Sequence, residues 1–129
     1  VVTAMSSETR ARDAVAPGQW SHERQFFDAA AQLAGAFDLV AVERRYRKAL
    51  SSPLYPLEAA YSLLGDIHGK RVLDVGCGHG EHSLLFAAWG ADVLGVDISP
   101  GSIDLCRKRA EEFPVCGRVE FVNAPVESL

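Results

Sequence analysis

Apolar residues recur at helical spacing through the first half of the chain. A helix is predicted to begin at Ser21, which is placed to cap it, because the apolar residues that follow lie three or four positions apart: Phe26, Ala30, Leu33, Ala34 and Phe37. We expect Phe26, Phe27 and Phe37 to pack in the core. A second helix is predicted over residues 38–50, and a third from Pro56 to Gly65. Residues 1–20 are small and polar, which predicts a flexible leader before this helical cap of residues 21–65.

The pattern changes at Lys70 to short apolar runs separated by helical stretches. Strands are predicted over residues 72–75, 92–96 and 118–122, and helices over residues 81–89 and 99–113. The first strand is apolar apart from Asp74, which is typical of a strand buried on both faces. This alternation predicts an α/β unit over residues 66–129, with a parallel sheet, right-handed crossovers and a ligand crevice at the carboxyl ends of the strands.

Composition narrows the class of protein. The 129 residues are 48% hydrophobic, which suits one domain with a modest core. A net charge of −4 gives no electrostatic footprint for nucleic acid. No run approaches the ~20 apolar residues of a membrane span, and the N-terminus lacks a secretory pattern. The three cysteines form no CxxC pair. We therefore expect a soluble cytoplasmic protein with free thiols, bound to neither nucleic acid nor membrane.

Candidate chemistry lies where the first two predicted strands end. Strand one runs into glycines at alternate positions, Gly76, Gly78 and Gly80, and strand two ends in Asp97. Glycines in such a turn let a ligand approach bare backbone. A carboxylate at the tip of the next strand can accept hydrogen bonds from ribose hydroxyls. Together these residues predict a site for an adenosine-containing cofactor.

The glycine spacing distinguishes between such cofactors. A nicotinamide or flavin site needs Gly-x-Gly-x-x-Gly, but here the third glycine, Gly80, comes one residue early and Glu81 takes its place. A carboxylate at that helix N-terminus would repel a pyrophosphate, which binds there. S-adenosylmethionine carries a sulfonium and no phosphate, so the pattern favours it over a dinucleotide.

Three segments resemble motifs of the class I S-adenosylmethionine-dependent methyltransferases. VLDVGCGHG (residues 72–80) is similar to their first motif, and GVDIS (residues 95–99) to their second-strand motif. FVNA (residues 121–124) resembles the end of their third strand. The resemblance covers residues 65–129 and implies a Rossmann-like sheet, in the family's strand order, preceded here by helices. It also implies transfer of a methyl group from S-adenosylmethionine.

The resemblance implies which residues hold the methionine part of the cofactor. The backbone of the turn Gly76-Cys77-Gly78 would contact it, and Asp74 would hold the turn and bind the amino group. The basic stretch of residues 44–48 is most simply a solvated helix face. Alternatively, Tyr46 or an adjacent arginine bonds the methionine carboxylate from above the site.

The resemblance also implies an adenosine half of the site. Asp97 would accept both ribose hydroxyls, and Ile98 would lie against the adenine. The backbone N–H of Ala124 would meet an adenine ring nitrogen, and Asn123 would accept from the exocyclic amine. Many relatives have Asp where this chain has Asn123, but an amide oxygen still accepts.

Other chemistry in the turn is less favoured. Cys77, His79 and His82 suit zinc by residue type, but the first two lie where the cofactor would bind, so we predict no metal. His79 is a tempting general base because imidazole titrates near neutral pH; we expect it to be solvated and name no catalytic residue.

The expected reaction is direct displacement at the sulfonium methyl by a small-molecule acceptor, which depends mainly on alignment of the two substrates. The alternatives are a non-catalytic S-adenosylmethionine-binding module, an NAD-dependent oxidoreductase and a structural protein without ligand. The family's sheet has seven strands and this chain ends after the third, so we expect a truncated domain. Its first strand would then be an apolar edge, which predicts a homodimer through that strand, aggregation, or cover from the N-terminal helices.

Overall fold

A computed structural model describes Gly18, residues 20–48 and residues 63–129, with the side chains of residues 45–48 outside the description. The predicted leader and most of the predicted third helix therefore lie outside the described residues. The helices are α1 (Ser21–Gln32), α2 (Leu39–Lys48), α3 (Glu81–Ala88) and α4 (Pro100–Glu112). The strands are β1 (Arg71–Val75), β2 (Asp92–Asp97) and β3 (Arg118–Asn123), and a 3₁₀ turn follows at Val126–Ser128.

The three strands form one parallel sheet in the order β1-β2-β3. Val72 pairs with Val93, and Val93 with Val119, so these valines share one face of the sheet. Both crossover helices cover that face: α3 packs on Val93 and α4 on Phe121. The predicted α/β fold with a parallel Rossmann-like sheet is confirmed, and each strand boundary agrees with the prediction to within one residue.

The core lies between this face and the two helices. One cluster contains Leu84 from α3, Ile103 and Cys106 from α4, and Phe121 from β3. A second cluster joins the C-terminal half of α3 to β2, with Phe86 and Ala87 packed around Val93. Within the described part of the chain, no helix is long and apolar enough to cross a membrane.

The expectation that β1 is buried on both faces is wrong. Leu73 is 53% exposed and Val75 is 52% exposed, whereas Val72 packs against the core. The reason is topological, since α3 and α4 both lie on the Val72 side of the sheet. A continuous apolar run predicts two buried faces only when helices cover both sides.

The prediction for the apolar face of α1 is also wrong. Phe26 is 69% exposed and Leu33 is 86% exposed, and Phe27 is 42% exposed rather than buried. The helix instead packs on α4 through a polar contact, in which Asp28 accepts hydrogen bonds from Ser99 and Gly101. Helical spacing alone could not reveal this, because the contacting side chain is a carboxylate.

Phe37 packs against the core as predicted. It lies after α1, and its ring meets Phe113 edge to face at 5.0 Å. The guanidinium of Arg109 stands 4.7 Å from the centre of the same ring. This contact holds the connection between α1 and α2 against the end of α4.

The starts of α1, α2 and α4 agree with prediction to within one residue, but the predicted cap of α1 does not. The Ser99 hydroxyl accepts from the Ser102 N–H at 3.0 Å, and the Asp38 carboxylate accepts from the Ala41 N–H at 3.1 Å. Ser21 is the first residue of α1 rather than its cap. The cap position belongs to Trp20, which has a left-handed backbone (φ 59°) and makes no side-chain cap bond.

Candidate functional site

The glycine turn leaves β1 and is fastened to the neighbouring strand. The N–H groups of Gly76 and Cys77 both donate to the carbonyl of Val96, at 2.8 and 3.0 Å. Gly76, Gly78 and Gly80 have φ values of 69°, 52° and 77°, in the left-handed region that other residues rarely adopt. The turn is therefore fixed in position at the carboxyl end of the sheet.

The three glycines do not play the same part. A Cβ atom at Gly76 or Gly78 would meet no atom within 4 Å, so both face open space. A Cβ atom at Gly80 would lie 2.8 Å from the Cys106 sulfur and 3.3 Å from the Phe121 ring. Gly76 and Gly78 thus form a cradle open to a ligand, whereas Gly80 lets the turn pack on the core.

Asp97 ties the tip of β2 to both neighbouring segments. One carboxylate oxygen accepts from the Gly78 N–H at 2.9 Å, and the other accepts from the Ser99 N–H at 2.9 Å. An ionised carboxylate has about four acceptor positions, so these two bonds leave capacity for further donors. The side chain is partly exposed, and it lines a cleft.

Asp74 is held by the helix that follows the turn. Its carboxylate accepts a hydrogen bond of 2.6 Å from the Ser83 hydroxyl on α3. Gly95 on the adjacent strand makes room for this bond, because a Cβ atom there would lie 3.0 Å from the Ser83 oxygen. The acid is therefore oriented by the protein while it lines the edge of the site.

The Cys77 side chain points away from the open cradle into the core. It packs with Leu84, Ile103, Cys106 and Phe121, and only its backbone belongs to the turn. A hydrogen bond with Cys106, followed by burial, raises the pKa of the Cys77 thiol far above its ordinary value. The thiol stays protonated and is a poor nucleophile or metal ligand.

Two clefts flank the glycine turn. The Asp97 cleft has a volume of about 340 Å³ and is lined by Trp20, Phe27, Val75, Gly76, Gly78, Val96, Asp97, Ile98, Ala124, Val126 and Glu127. The Asp74 cleft has a volume of about 370 Å³ and is lined by Phe26, Phe27, Ala30, Asp74, Gly76, Cys77, Gly78, His79, Glu81 and His82. Gly76, Gly78 and Phe27 belong to both clefts, so the two form one continuous groove across the strand ends.

Most of the predicted site residues line this groove, with two differences in detail. Asn123 lines neither cleft; it is 7% exposed, and its amide nitrogen donates to the Asp97 carbonyl at 2.9 Å. The Ala124 N–H, which we expected to meet an adenine nitrogen, also donates to the Asp97 carbonyl, at 3.0 Å. The backbone of Tyr46 lies in α2, and its side chain is outside the described residues.

Three contributions to the groove escaped sequence reasoning. Trp20 and Phe27 form its outer wall, although the sequence marked Phe27 as core. Asp28 holds that wall in place by accepting from the Ser99 hydroxyl at 2.6 Å and the Gly101 N–H at 2.8 Å. Only one signal could have suggested this, namely an acid in α1 that could meet the N-terminus of another helix.

Arg109 is the third contribution, because this buried side chain supports the glycine turn from the core side. This side chain is 5% exposed, and it donates to the His79 carbonyl at 2.7 Å and to the Gly35 carbonyl at 3.4 Å. It therefore joins the glycine turn to the segment between α1 and α2. No sequence pattern singled it out, because it directly follows two other basic residues, Arg107 and Lys108.

Comparison with known proteins agrees with this geometry. The family model described as a methyltransferase domain matches residues 72–129. A ubiquinone biosynthesis O-methyltransferase from Bordetella avium is 44% identical over 73 residues, which cover 57% of this chain and 30% of that protein. A mitochondrial ubiquinone biosynthesis O-methyltransferase from Schizosaccharomyces pombe is 45% identical over 60 residues, which cover 46% of this chain and 22% of that protein. The chain spans less than a third of the length of these relatives.

A solved structure shares the fold. The crystal structure of magnesium protoporphyrin IX methyltransferase from Synechocystis PCC 6803 with bound SAH (S-adenosylhomocysteine) superposes on this chain with a TM-score of 0.59. The sequences are 24% identical, and the match covers 84% of this chain and 52% of the other. The resemblance stated from the three sequence motifs is confirmed.

Proposed function

We propose that this chain, whose residues 72–129 match the family model described as a methyltransferase domain, binds S-adenosylmethionine in the groove at the strand ends. The observation that carries the proposal is the open cradle at Gly76 and Gly78, beside the oriented carboxylates of Asp74 and Asp97. A ligand that has hydroxyl and ammonium donors, a positive charge and no phosphate suits this acidic lining.

Each half of the groove has its own part in binding. In the Asp97 cleft, the free acceptor positions of Asp97 take the ribose hydroxyls, and Ile98 and Ala124 supply apolar contact for the adenine. In the Asp74 cleft, Asp74 takes the amino group, directly or through water, and the exposed backbone of Gly76 and Gly78 borders the methionine part. The residues of the Asp97 cleft would thus anchor one end of the ligand and those of the Asp74 cleft the other.

When bound, the cofactor supplies an electrophilic methyl group on a sulfonium. The chain's own residues then contribute orientation, because a methyl displacement depends on alignment of the nucleophile with the methyl carbon. The ordered turn provides this, since its N–H groups are bonded to Val96 and its glycines cannot be repositioned without breaking the contact to Asp97. We assign no general base.

The acceptor we propose is a hydroxyl group of a small molecule. This is supported by the curated relatives, which are named O-methyltransferases, and by the net negative charge of the chain. The competing proposal is a binding module without catalysis. Product formation with a phenolic acceptor would distinguish the two.

Ligand binding tests the proposal directly. S-adenosylhomocysteine (SAH) at a hundred times its dissociation constant is expected to stabilise the chain by about 2.7 kcal/mol, whereas NAD has no effect. Asp97→Ala should weaken SAH binding by about 1–3 kcal/mol, because a hydrogen-bonded charged group is lost. Asp92→Ala, at the opposite end of the same strand, is the matched control and leaves binding unchanged. Equal affinity of the Asp97→Ala variant and the unmodified chain would exclude Asp97 as the ribose ligand.

We further propose that two copies of this chain associate through β1. It is one of the two edge strands of the described sheet, its Leu73 and Val75 side chains are about half exposed, and α1 packs mainly on α4 and α2 on α3. An exposed apolar edge readily pairs with another strand. Light scattering should detect a dimer, and Leu73→Lys should reduce it to a monomer. A monomeric unmodified chain at high concentration would contradict the proposal.

We also propose a cytoplasmic location. Its support is the state of the cysteines, since Cys77, Cys106 and Cys116 are all free thiols. Free thiols persist in reducing compartments, whereas exported proteins tend to pair them. Fractionation of cells that express a tagged chain would test this, with recovery outside the cytosol as the opposing result.

A further inference from the structure

Phe27 occupies an unusual position in the groove. It is the one residue of α1 that lines both the Asp97 cleft and the Asp74 cleft, so it lies at their junction together with Gly76 and Gly78. Its neighbour Phe26 lines the Asp74 cleft alone and is 69% exposed, against 42% for Phe27. The two rings meet edge to face at 5.2 Å, with an interplanar angle of 85°.

The position of Phe27 is fixed by the next residue in the chain. Asp28 accepts from the Ser99 hydroxyl and the Gly101 N–H, which attaches α1 to the N-terminus of α4. Gly101 allows this close approach, since a Cβ atom there would lie 2.9 Å from the Asp28 carboxylate and 3.2 Å from its Cα. These hydrogen bonds hold the α1 backbone at Phe27 beside the groove.

We propose that Phe27 is a cofactor-binding residue that recognises the positive charge of the sulfonium; this inference rests on the proposed function. The sulfonium joins the adenosyl part to the methionine part, so a ligand that spans both clefts carries it at their junction. An aromatic ring attracts a cation through the negative potential of its face. Phe27 can thus favour the charged S-adenosylmethionine over SAH, the uncharged product, and so assist product release.

The experiment compares the two ligands in three variants. Phe27→Leu removes the aromatic ring but keeps an apolar side chain, and Phe27→Tyr keeps the ring. Leu33→Ala, at the exposed end of α1 and outside both clefts, is the control. Dissociation constants for S-adenosylmethionine and SAH are measured by calorimetry, and melting temperatures without ligand check folding. The ratio of the two constants cancels the loss of apolar contact, which both ligands share.

Phe27→Leu is expected to weaken the binding of S-adenosylmethionine about 3- to 10-fold more than the binding of SAH. This is the range of a partly desolvated cation–π contact. Phe27→Tyr and Leu33→Ala should leave the ratio unchanged. An unchanged ratio in Phe27→Leu, equal loss of affinity for both ligands, or the same shift in Leu33→Ala would overturn the inference while leaving the proposed function intact. Failure of the unmodified chain to bind either ligand would instead overturn the proposed function, and the inference with it.

Discussion

Substituting the glycines of the turn separates their structural part from their binding part. Gly78→Ala and Gly80→Ala each force an L-residue into the left-handed region, since φ is 52° and 77° at the two positions. That conformation costs about 1–2 kcal/mol for a residue with a Cβ atom. The two variants share this term, so any difference between them reports on what the new methyl group meets.

The surroundings of the two methyl groups differ sharply. At Gly78 the methyl enters open space, and no further loss of stability is expected. At Gly80 it lies 2.8 Å from the Cys106 sulfur, well inside the ~3.5–4.0 Å of a normal contact. Cys106 cannot easily move, because it is fully buried and bonded to the Gly78 carbonyl at 3.1 Å. Overpacking of this kind costs about a further 1–3 kcal/mol.

Gly80→Ala should therefore lose about 2–5 kcal/mol of unfolding free energy, against about 1–2 kcal/mol for Gly78→Ala. Urea unfolding measures both. Affinity should show the reverse order, because the Gly78 methyl occupies the cradle: SAH binding weakens at least about tenfold in Gly78→Ala, a loss of 1.4 kcal/mol. In the double variant Gly80→Ala/Cys106→Ala the clash is relieved, so the two changes should cost less than their sum. Equal stability of the two single variants would refute the distinction between cradle and packing glycines.

Two further changes test other contacts. Because the folded-state pKa of Cys77 is raised, the thiol ionises first in the unfolded chain, so stability is complete below the ordinary pKa of 9.0 and falls above it. Unfolding free energy measured from about pH 8 to 10.5 should decline by up to ~1.4 kcal/mol per pH unit at the alkaline end, and Cys77→Ala should lessen that slope; an unaltered slope would contradict the assignment. Asp28→Ala should cost about 1.5–3 kcal/mol by removing two hydrogen bonds to a carboxylate, Asp28→Asn should cost less because an acceptor oxygen remains, and equal losses would contradict the role of that oxygen.

The elements of the second half of the chain could be predicted because their signals are local. The strands over Arg71–Val75, Asp92–Asp97 and Arg118–Asn123 are short apolar runs, and their sequence order with intervening helices constrains a parallel sheet. The signal for the glycine turn was equally local, since glycines at alternate positions after a strand indicate a turn with left-handed backbone. The helix predicted over residues 99–113 likewise begins where expected, with Ser99 as its cap and Pro100 as its first residue.

The failures in predicted burial concern which surfaces meet. Whether Leu73 is buried depends on which side of the sheet the helices cover, and a strand's own pattern carries no record of that. The inward face of α1 was mistaken because a carboxylate, Asp28, makes the contact while Phe26 stays exposed. A prediction from helical periodicity places the apolar face of a helix against the protein. When the helix is attached through charged and polar groups, that prediction selects the wrong face.

The sequence by itself determined where the strand ends, the glycines and the acids lie along the chain, and their proximity followed from the parallel topology. Tertiary structure alone decided which glycine has which role, because Gly80 packs on Cys106 while Gly78 faces open space. It also decided that Phe27 forms part of the wall of the groove. The physical reason is that backbone preference and strand order are encoded locally, whereas the atom opposite a given Cβ comes from a residue far away in the chain. Contacts such as that of Asp28 with Gly101 exist only once the chain has folded.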